Sequence, residues 1–255
     1  MATKTYVVTG TSSGIGLEIV RQLAARGNKV YATCRKKESS ATGRDDISAV
    51  EGDVTVIEGI DVAADACGPV LKAALEDVTI DVLVHNAGSI NGTRDIKGMT
   101  VMGEQALETV TSKRMLAAFQ LNTLGPLRVT QALLAQIASP GGKIVIVSSG
   151  MGSIGDNGSG GLYAYRASKT AVNMIAKNMS VDLKDKGIAV VAVNPNAVIT
   201  EFGPGPEQMA KWGGLTVAHS CEQLVGVMDA LSMETTGKFM TVPKEGPFVE
   251  FPGGW

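Results

Sequence analysis

Short apolar runs alternate along this chain with longer segments in which apolar residues recur at helical spacing. The apolar runs predict strands at 5–9, 28–34, 54–62, 80–88, 142–149 and 187–195. Helical periodicity is clearest at 14–26, 112–138 and 163–185. Strands that are apolar at nearly every position and are separated by helices are typical of a parallel sheet covered on both faces. The pattern therefore predicts an α/β fold with one doubly wound parallel sheet.

The chain shows no internal repeat and no linker-like boundary, which predicts a single domain over residues 1–255. Glycine and proline interrupt the pattern between Gly203 and Cys221. An irregular segment of this length either covers a site or simply connects two elements. Both interpretations are open from the sequence.

Composition excludes several classes of function. The net charge is −2 and no long basic block occurs, so we expect no nucleic-acid partner and no anionic membrane surface as partner. No apolar run approaches the roughly 20 residues of a membrane span, and the strand-like start leaves no room for a signal peptide. Three scattered cysteines and only two histidines predict no disulfide framework and no metal site. A reduced, cytoplasmic protein is the simplest interpretation.

A glycine-rich turn follows the first predicted strand, in the stretch VVTGTSSGIGLEI. Glycine allows the backbone to turn sharply and to approach a pyrophosphate, and the N–H groups at the start of the next helix favour an anion. The spacing differs from the common Gly-x-Gly-x-x-Gly pattern, but the strand–turn–helix context is the one that dinucleotide binding requires. The predicted cofactor-binding residues of this turn are Gly10, Thr11, Ser12, Ser13, Gly14, Ile15 and Gly16.

The second strand ends in a basic turn, with Arg35, Lys36 and Lys37 after Cys34. An acidic residue near this position would bind the adenine ribose and reject a 2′-phosphate. Cys34 stands there instead, and a guanidinium binds phosphate through two parallel hydrogen bonds. Arg35 and Lys36 therefore favour NADP(H) over NAD(H), while the alternative is a solvated basic turn.

Tyr165 and Lys169 lie four residues apart on a predicted helix, hence on one helical face. An ammonium beside a phenol stabilises the phenolate and makes the hydroxyl a better acid catalyst. Tyr163 lacks such a partner, because Ala167 stands four residues after it. An isolated pair of this kind is more often a surface stripe, but here a glycine turn and a strand ending in two serines occur in the same chain.

With these motifs in order, the sequence resembles the classical short-chain dehydrogenases/reductases over essentially its full length. The resemblance rests on TGTSSGIG (9–16), NAG (86–88), LNTLG (121–125), VSS (147–149) and YRASK (165–169). Within that family it most resembles the C-factor/Sniffer-like carbonyl reductases, because it shares the long stretch SSGMGSIGDNGSGGLYAYRASK and the apolar C-terminal tail. The resemblance implies a Rossmann-type fold and an NADP(H)-dependent reaction.

The resemblance also implies a role for each matched residue. Tyr165 would protonate the carbonyl oxygen, and Lys169 would hold the nicotinamide ribose and assist Tyr165. Ser149, in preference to Ser148, would hydrogen-bond the substrate oxygen. Asn122 would anchor a water between Lys169 and solvent. The further cofactor contacts would be Asp61, Val62, Asn86, Ala87, Gly88, Pro195, Val198 and Thr200, with Tyr165 and Lys169 themselves.

Three positions depart from the family pattern. Ser149 stands sixteen residues before Tyr165, which is longer than usual and predicts an extended loop at the rim of the pocket. His85 replaces an asparagine, and we interpret it as strand packing with a polar tip. Asn196 replaces a glycine, and asparagine tolerates the left-handed backbone better than most residues.

The sequence thus predicts NADPH-dependent, reversible reduction of a ketone or aldehyde. The alternatives are reduction of a 3-oxoacyl thioester on a carrier protein, which the near-neutral charge disfavours, and a non-catalytic NADP(H)-binding signalling protein. Helix 112–138 would suit packing in a homo-oligomer, a dimer or tetramer. Substrate selection would lie in loops at about 150–162, 201–222 and 243–255. Apolar candidates for contact with the substrate are Met151, Ile154, Phe202, Met209 and Trp212.

Overall fold

The computed structural model describes residues 2–35, 47–90 and 103–255. Eight strands form one sheet in the order β3-β2-β1-β4-β5-β6-β7-β8. All neighbouring strands are parallel except the last pair, β7 and β8. The strands are β1 (Thr5–Thr9), β2 (Lys29–Thr33), β3 (Val54–Ile57), β4 (Val82–His85), β5 (Lys143–Val147), β6 (Ala189–Asn194), β7 (Phe239–Thr241) and β8 (Val249–Glu250).

Helices cover both faces of this sheet, which confirms the predicted doubly wound α/β fold. In the described residues they are α1 (Gly14–Ala25), α2 (Cys67–Ala74), α3 (Ser112–Phe119), α4 (Gly125–Leu133), α5 (Tyr163–Asp182), α6 (Pro206–Lys211) and α7 (Val217–Ala230). Short 3₁₀ turns add Ile47–Ala49, Gly150–Gly152 and Lys184–Lys186. None of the helices in these parts of the chain combines the length and apolar character that crossing a bilayer requires.

The alternation of side chains along each strand divides the core into two layers. Val8 of β1 packs with Leu23 of α1 and Leu224 of α7 on one face. Val7, one residue earlier, packs on the other face with Leu71 of α2 and the residues of α4 and α5. Because both faces are buried, the central strands are apolar at successive positions. These apolar runs are the pattern from which the strands were predicted.

The predicted helix over 112–138 is interrupted and ends early. Gln120–Leu124 forms a π-helical turn between α3 and α4. Pro126 has no N–H to donate to the carbonyl four residues earlier, that of Asn122, so the α-helical ladder cannot continue there. Beyond α4, the Ile80 amide donates to the Gln136 carbonyl at 2.8 Å, which places that segment beside the entry to β4.

The segment 203–221 is more regular than its glycine and proline content predicts. Pro206 occupies the first turn of α6, where its fixed φ favours a helix start. Thr216 caps α7 by accepting a hydrogen bond from the His219 amide at 3.2 Å. The two short strands β7 and β8 were not predicted, because three and two residues are too few to carry a period.

Candidate active site

The carboxyl ends of β1, β4, β5 and β6 meet at one edge of the sheet, where the strand order reverses between β1 and β4. Ligands of open parallel sheets bind at such a reversal. The glycine turn follows β1, the segment 86–88 follows β4, and the two serines follow β5. The fold therefore brings the sequence-predicted segments to one edge.

The glycine turn needs its glycines for two different reasons. Gly10 has φ +71°, and a Cβ on it would lie 2.6 Å from the Ala87 backbone. A Cβ on Gly16 would lie 2.2 Å from the Gly10 carbonyl oxygen and 2.4 Å from Asn86 Nδ2. A side chain at either position would displace the backbone, so the turn can exist only with glycine there.

Asn86 locks this turn to the end of β4. Its Nδ2 donates to the carbonyl oxygens of Thr9 (3.1 Å) and Gly10 (2.9 Å), and its backbone amide donates to Thr9 Oγ1 (3.1 Å). The Ala87 amide donates to the same hydroxyl at 3.2 Å. Asn86 and Ala87 therefore shape the site through the backbone of the turn.

The turn presents the features of an anion site at the start of α1. Ser13 is the N-cap residue and is exposed, and its hydroxyl makes no capping bond to the helix. Thr11 points the other way and donates to the Thr33 carbonyl at 3.2 Å. Ser12 and Ile15 are partly buried between them. Free N–H groups at a helix N-terminus, reached by a glycine backbone, suit the pyrophosphate of a dinucleotide.

The ends of β2 and β3 form the side of the site where an adenosine would lie. Thr33 Oγ1 is buried and has no hydrogen-bond partner among the described residues, as expected of a group that a ligand or water completes. Arg35 is exposed beside it, whereas Lys36 lies outside the described residues. Asp61 is exposed and accepts from the Ala63 amide, and Val62 is buried. The residues present fit a dinucleotide cofactor.

Tyr165 and Lys169 lie on the first turns of α5, both 5% exposed. Lys169 Nζ is 5.8 Å from the centroid of the Tyr165 ring, so the predicted pairing across one helical turn is present. The Phe202 ring lies near Tyr165, with ring centroids 6.0 Å apart and the planes tilted by 59°. Tyr165 thus has an ammonium and an apolar ring as neighbours.

Lys169 is a buried cation, and no carboxylate in the described parts of the chain contributes to its pKa shift. Its Nζ donates to the Val147 carbonyl at 2.9 Å. Burial alone lowers the pKa of this lysine to about 8, because the ammonium loses its hydration. A Cβ on Gly88 would lie 3.6 Å from this Nζ and 3.2 Å from Asn122 Oδ1. Gly88 therefore leaves the space in which Lys169 and Asn122 approach each other.

Asn122 lies in the π-helical turn, a feature that occurs frequently at functional sites. Its Oδ1 accepts from the Ser89 amide at 2.9 Å, and its Nδ2 donates to the Ser89 carbonyl at 2.8 Å. Nδ2 also contacts Ser168 Oγ at 3.0 Å, and Thr123 Oγ1 donates to the Ser168 carbonyl at 2.8 Å. The turn is thereby fixed to α5, next to Lys169.

The two serines after β5 have different environments. Ser148 is 2% exposed and its hydroxyl donates to Asn173 Oδ1 at 2.5 Å, inside the core. Ser149 is partly exposed and its Oγ accepts from the Met151 amide at 3.2 Å, which leaves its own O–H to donate. Ser149 is the serine available to a substrate.

The segment after β6 lies across the site from the glycine turn. Asn196 adopts φ +67°, as its replacement of glycine predicts, and its Oδ1 accepts from the Ala197 amide at 2.7 Å. Pro195 accepts a hydrogen bond from Ser220 at 2.9 Å, and Val198 is buried. A Cβ on Gly14 would lie 3.6 Å from Thr200 Cγ2, so Thr200 approaches the turn directly.

His85 is part of the core and not of the acid–base group. It is 3% exposed, and its Nε2 lies 2.8 Å from Thr130 Oγ1. Desolvation lowers its pKa to about 3, which keeps the ring neutral. No cluster of potential metal ligands occurs in the described residues. A shallow depression lined by 76–79 and 135–139 lies at the amino ends of the strands, at the edge of the sheet away from these groups.

The C-terminal tail packs against the loop that follows Ser149. Phe251 stacks on Phe239 with ring centroids 4.8 Å apart, and its ring would lie 3.0 Å from a Cβ on Gly150. The Ile154 amide donates to the Trp255 carbonyl at 3.1 Å, and Ser153 Oγ donates to the Gly253 carbonyl at the same distance. Two of the three predicted substrate loops therefore contact each other.

The sequence did not predict the residues that fix α5 in place through hydrogen bonds. Ser168 links α5 to the π-helical turn, and Gln105 hydrogen-bonds the Tyr165 amide at 3.0 Å. Neither has a sequence signal, because hydrogen bonds over such separations depend on tertiary structure. Pro126 after Asn122 was the only visible sign of the π-helical turn.

Comparisons with known proteins agree with this geometry. The model of the short chain dehydrogenase family matches residues 4–209. The 1-hydroxy-2-glutathionyl-2-methyl-3-butene dehydrogenase of Rhodococcus sp. (strain AD45) is 31% identical over 252 residues, which cover 97% of this chain and 99% of that protein.

Two solved structures extend the likeness to the whole fold. A short-chain dehydrogenase/reductase from Burkholderia multivorans with bound NADP superposes with a TM-score of 0.79 at 26% identity, over 98% of this chain and 100% of that chain. The carbonyl reductase Sniffer of D. melanogaster superposes with a TM-score of 0.75 at 26% identity, with the same coverage. The Sniffer-like resemblance stated from the sequence is confirmed at this level.

Proposed function

Since the chain belongs to the short chain dehydrogenase family, a family of oxidoreductases, we propose that it reduces a ketone or aldehyde to an alcohol, reversibly and with NADPH. One observation carries the proposal. The buried Tyr165–Lys169 pair lies at the same sheet edge as a glycine turn that suits a dinucleotide. An ammonium beside a buried phenol stabilises the phenolate that proton transfer to a substrate would leave.

The cofactor proposal rests on the anion site and on its neighbour Arg35. The glycine turn and the N-terminus of α1 would bind the pyrophosphate, with Asp61 and Val62 near the adenine. Arg35, exposed at the end of β2, would bind the 2′-phosphate. The similar structure from Burkholderia multivorans has NADP bound. When bound, NADPH supplies the hydride for the carbonyl carbon.

The protein's own groups would then act on the carbonyl oxygen. Tyr165 donates its phenolic proton to that oxygen, and Ser149 donates a second hydrogen bond that stabilises the developing negative charge. Lys169 stabilises the resulting phenolate by its charge. Asn122, bonded to Ser89 and close to Lys169, would hold a water through which the proton is replaced.

The surroundings of Tyr165 favour an apolar carbonyl compound. Phe202 packs near its ring, and Met151, Ile154 and Trp212 are exposed apolar side chains on the predicted substrate loops. The Rhodococcus relative is a dehydrogenase of a hydroxy compound that carries a glutathionyl group, so oxidation of an alcohol is the reverse direction to consider. Reduction of a carrier-bound 3-oxoacyl thioester ranks lower, because the net charge of −2 offers no basic landing surface.

A cytoplasmic location and a homo-oligomer complete the proposal. All three cysteines are buried and form no disulfide, which suits a reducing compartment. On α3, Leu116 is 63% exposed and Phe119 38%, and a second copy would cover these side chains. A signalling role without catalysis is disfavoured, because it would need neither Tyr165 nor Lys169.

Oxidation of NADPH in the presence of a panel of carbonyl compounds tests the proposed function. The panel should contain aliphatic and aromatic ketones and aldehydes, a 3-oxoacyl thioester and a blank without substrate. Carbonyl-dependent NADPH loss with recovery of the alcohol supports the reductase. Tight NADPH binding without turnover of any compound would favour the signalling alternative.

Replacing Arg35 by aspartate should raise the KM for NADPH by about 10–100-fold and change that for NADH by less than about threefold, because only NADPH carries the 2′-phosphate. Steady-state kinetics with both cofactors measure the difference. Lys184→Asp, the same change of charge on an exposed turn after α5, should alter neither constant. Equal effects of Arg35→Asp on the two cofactors would contradict the phosphate role.

The two serines should respond differently to removal of their hydroxyls. Ser149→Ala should lower kcat by about 10²-fold and leave the melting temperature unchanged, because an oxyanion-type donor is lost at a partly exposed position. Ser148→Ala should lower the melting temperature instead, because Asn173 loses its buried donor. Kinetics and thermal unfolding of both variants check this, and reversed results would exchange the roles of the two serines.

A further inference from the structure

The helix that carries Tyr165 begins without a cap of its own. Gly160, Gly161 and Leu162 all have positive φ, and Leu162, the N-cap residue, is left-handed with φ 47°. A leucine side chain cannot accept a hydrogen bond, so the first N–H groups of α5 need acceptors from elsewhere. A helix end buried without such acceptors would be unstable.

Gln105 supplies two of these acceptors from 60 residues away. Its backbone carbonyl accepts from the Tyr163 amide at 3.2 Å, and its Oε1 accepts from the Tyr165 amide at 3.0 Å. The side chain has no solvent exposure. Gln105 therefore does what a serine or aspartate at the N-cap usually does, and it does so at the amide of Tyr165 itself.

The other half of the same carboxamide reaches the loop after β4. Gln105 Nε2 donates to the Ile90 carbonyl at 3.0 Å. The preceding residue, Ser89, forms two hydrogen bonds with the Asn122 side chain, one through its backbone amide and one through its carbonyl. The Ile90 side chain would lie 2.9 Å from a Cβ on Gly203, in the segment that also carries Phe202. The Gln105 carboxamide thus joins the start of α5 to the loop after β4. That loop contacts Asn122 through Ser89 and approaches the segment of Phe202 through Ile90.

We propose that Gln105 is a positioning residue that sets the placement of Tyr165 against the substrate, a role that rests on the proposed reductase function. The carboxamide is planar and its donor and acceptor are a fixed distance apart, so the Tyr165 amide and the Ile90 carbonyl hold each other in place. A displacement of about 1 Å at a reacting group can cost about 10²-fold in rate. Gln105 would act through the α5 backbone and the Ile90 carbonyl.

Two substitutions separate this role from general stability. Gln105→Met keeps about the same length and volume and removes the two carboxamide hydrogen bonds to the Tyr165 amide and the Ile90 carbonyl, while the backbone bond to the Tyr163 amide stays. Gln105→Glu keeps an oxygen that accepts from the Tyr165 amide, where a carboxylate is favoured at a helix N-terminus, and loses the donor to the Ile90 carbonyl. Thr111→Ala is the control for the loss of a helix cap elsewhere, because Thr111 caps α3 through the Arg114 amide at 3.3 Å.

The experiment measures kcat, the KM for NADPH and the native-state exchange of the Tyr165 amide hydrogen. Gln105→Met should lower kcat by about 30-fold, leave the KM for NADPH within about twofold, and accelerate exchange at Tyr165 by at least about tenfold. Gln105→Glu should have a kcat between those of Gln105→Met and the parent, because it keeps one of the two side-chain hydrogen bonds. Thr111→Ala should lower the melting temperature without these effects.

Specific outcomes would overturn the proposal. One is accelerated exchange at Tyr165 with an unchanged kcat in Gln105→Met. Another is a kcat of Gln105→Glu no higher than that of Gln105→Met. The third is a loss of kcat in Thr111→Ala equal to that in Gln105→Met. A parent that reduces no carbonyl compound refutes the proposed function instead. Exchange at Tyr165 then decides the role of Gln105 by itself, and an unchanged rate in Gln105→Met would refute that role.

Discussion

Replacing Tyr165 by phenylalanine should lower kcat for carbonyl reduction by about 10³-fold and leave the affinity for NADPH within about twofold. Phenylalanine keeps the ring that packs near Phe202 and under Lys169, and it removes only the hydroxyl that is proposed to give the proton. Hydride transfer would then leave an alkoxide without an acid. Steady-state kinetics and fluorescence titration with NADPH measure the two quantities separately.

Tyr163 provides the matched control on the same helix. It is 40% exposed and stands four residues before Ala167, so α5 places no ammonium one turn after it. Tyr163→Phe should change neither kcat nor the affinity for NADPH. The acid role of Tyr165 would be wrong if Tyr165→Phe reduced carbonyls at the parent rate, or if the two variants lost activity equally.

The central sheet was predictable because its physical cause is local. Strands β1, β2, β4, β5 and β6 are buried on both faces, so apolar residues occur at successive positions and mark each strand in the sequence. Helix α1 was predicted to within a residue, because its buried face repeats at helical spacing. These patterns do not depend on which elements become neighbours.

The errors occur where a distant contact or a missing N–H determines the structure. The π-helical turn at Gln120–Leu124 follows from Pro126, but periodicity alone gave one continuous helix. Strand β8 exists because it pairs with β7, and its two residues carry no pattern of their own. The first difference therefore comes from a proline within the helix and the second from a tertiary contact.

The candidate site divides in the same way. Tyr165, Lys169 and the glycine turn were predictable from spacing, because a helical turn and a tight turn each impose a local rule on sequence. The left-handed Asn196 was predictable from residue type. The role of Gln105 was not predictable, because it caps α5 from 60 residues away and no local sequence pattern indicates this.

Lys169→Met should abolish most of the activity and yet stabilise the protein without cofactor at pH 7. The pKa of Lys169 is lowered from 10.5 to about 8, so the buried site disfavours the ammonium by roughly 3 kcal/mol. Methionine removes this cost but leaves the Val147 carbonyl without its donor, which costs about 1–2 kcal/mol. The free energy of unfolding should therefore rise by about 1–2 kcal/mol, while kcat falls by at least about 10²-fold.

The dependence of this gain on pH follows from the direction of the shift. Between pH 8 and 10.5 the unfolded chain holds the lysine proton more tightly than the native protein, so the stability of the parent rises with pH in this window. Below pH 8 both states are protonated and the cost is fully present. The advantage of Lys169→Met should accordingly be constant up to about pH 8 and should disappear, or reverse, near pH 10.

Urea unfolding from pH 7 to 10 measures the difference, with Lys177→Met as the control. Lys177 lies on the same helix, is exposed and donates to the Gly237 carbonyl at 3.3 Å, so its loss should leave activity and the pH dependence of stability unchanged. A Lys169→Met protein that is less stable than the parent at pH 7, with a pH-independent difference, would show that the buried ammonium is compensated in the native state. A Lys169→Met protein that is more stable but less active than the parent would mean that Lys169 destabilises the fold. Its role beside the Tyr165 phenol would then explain why it is present.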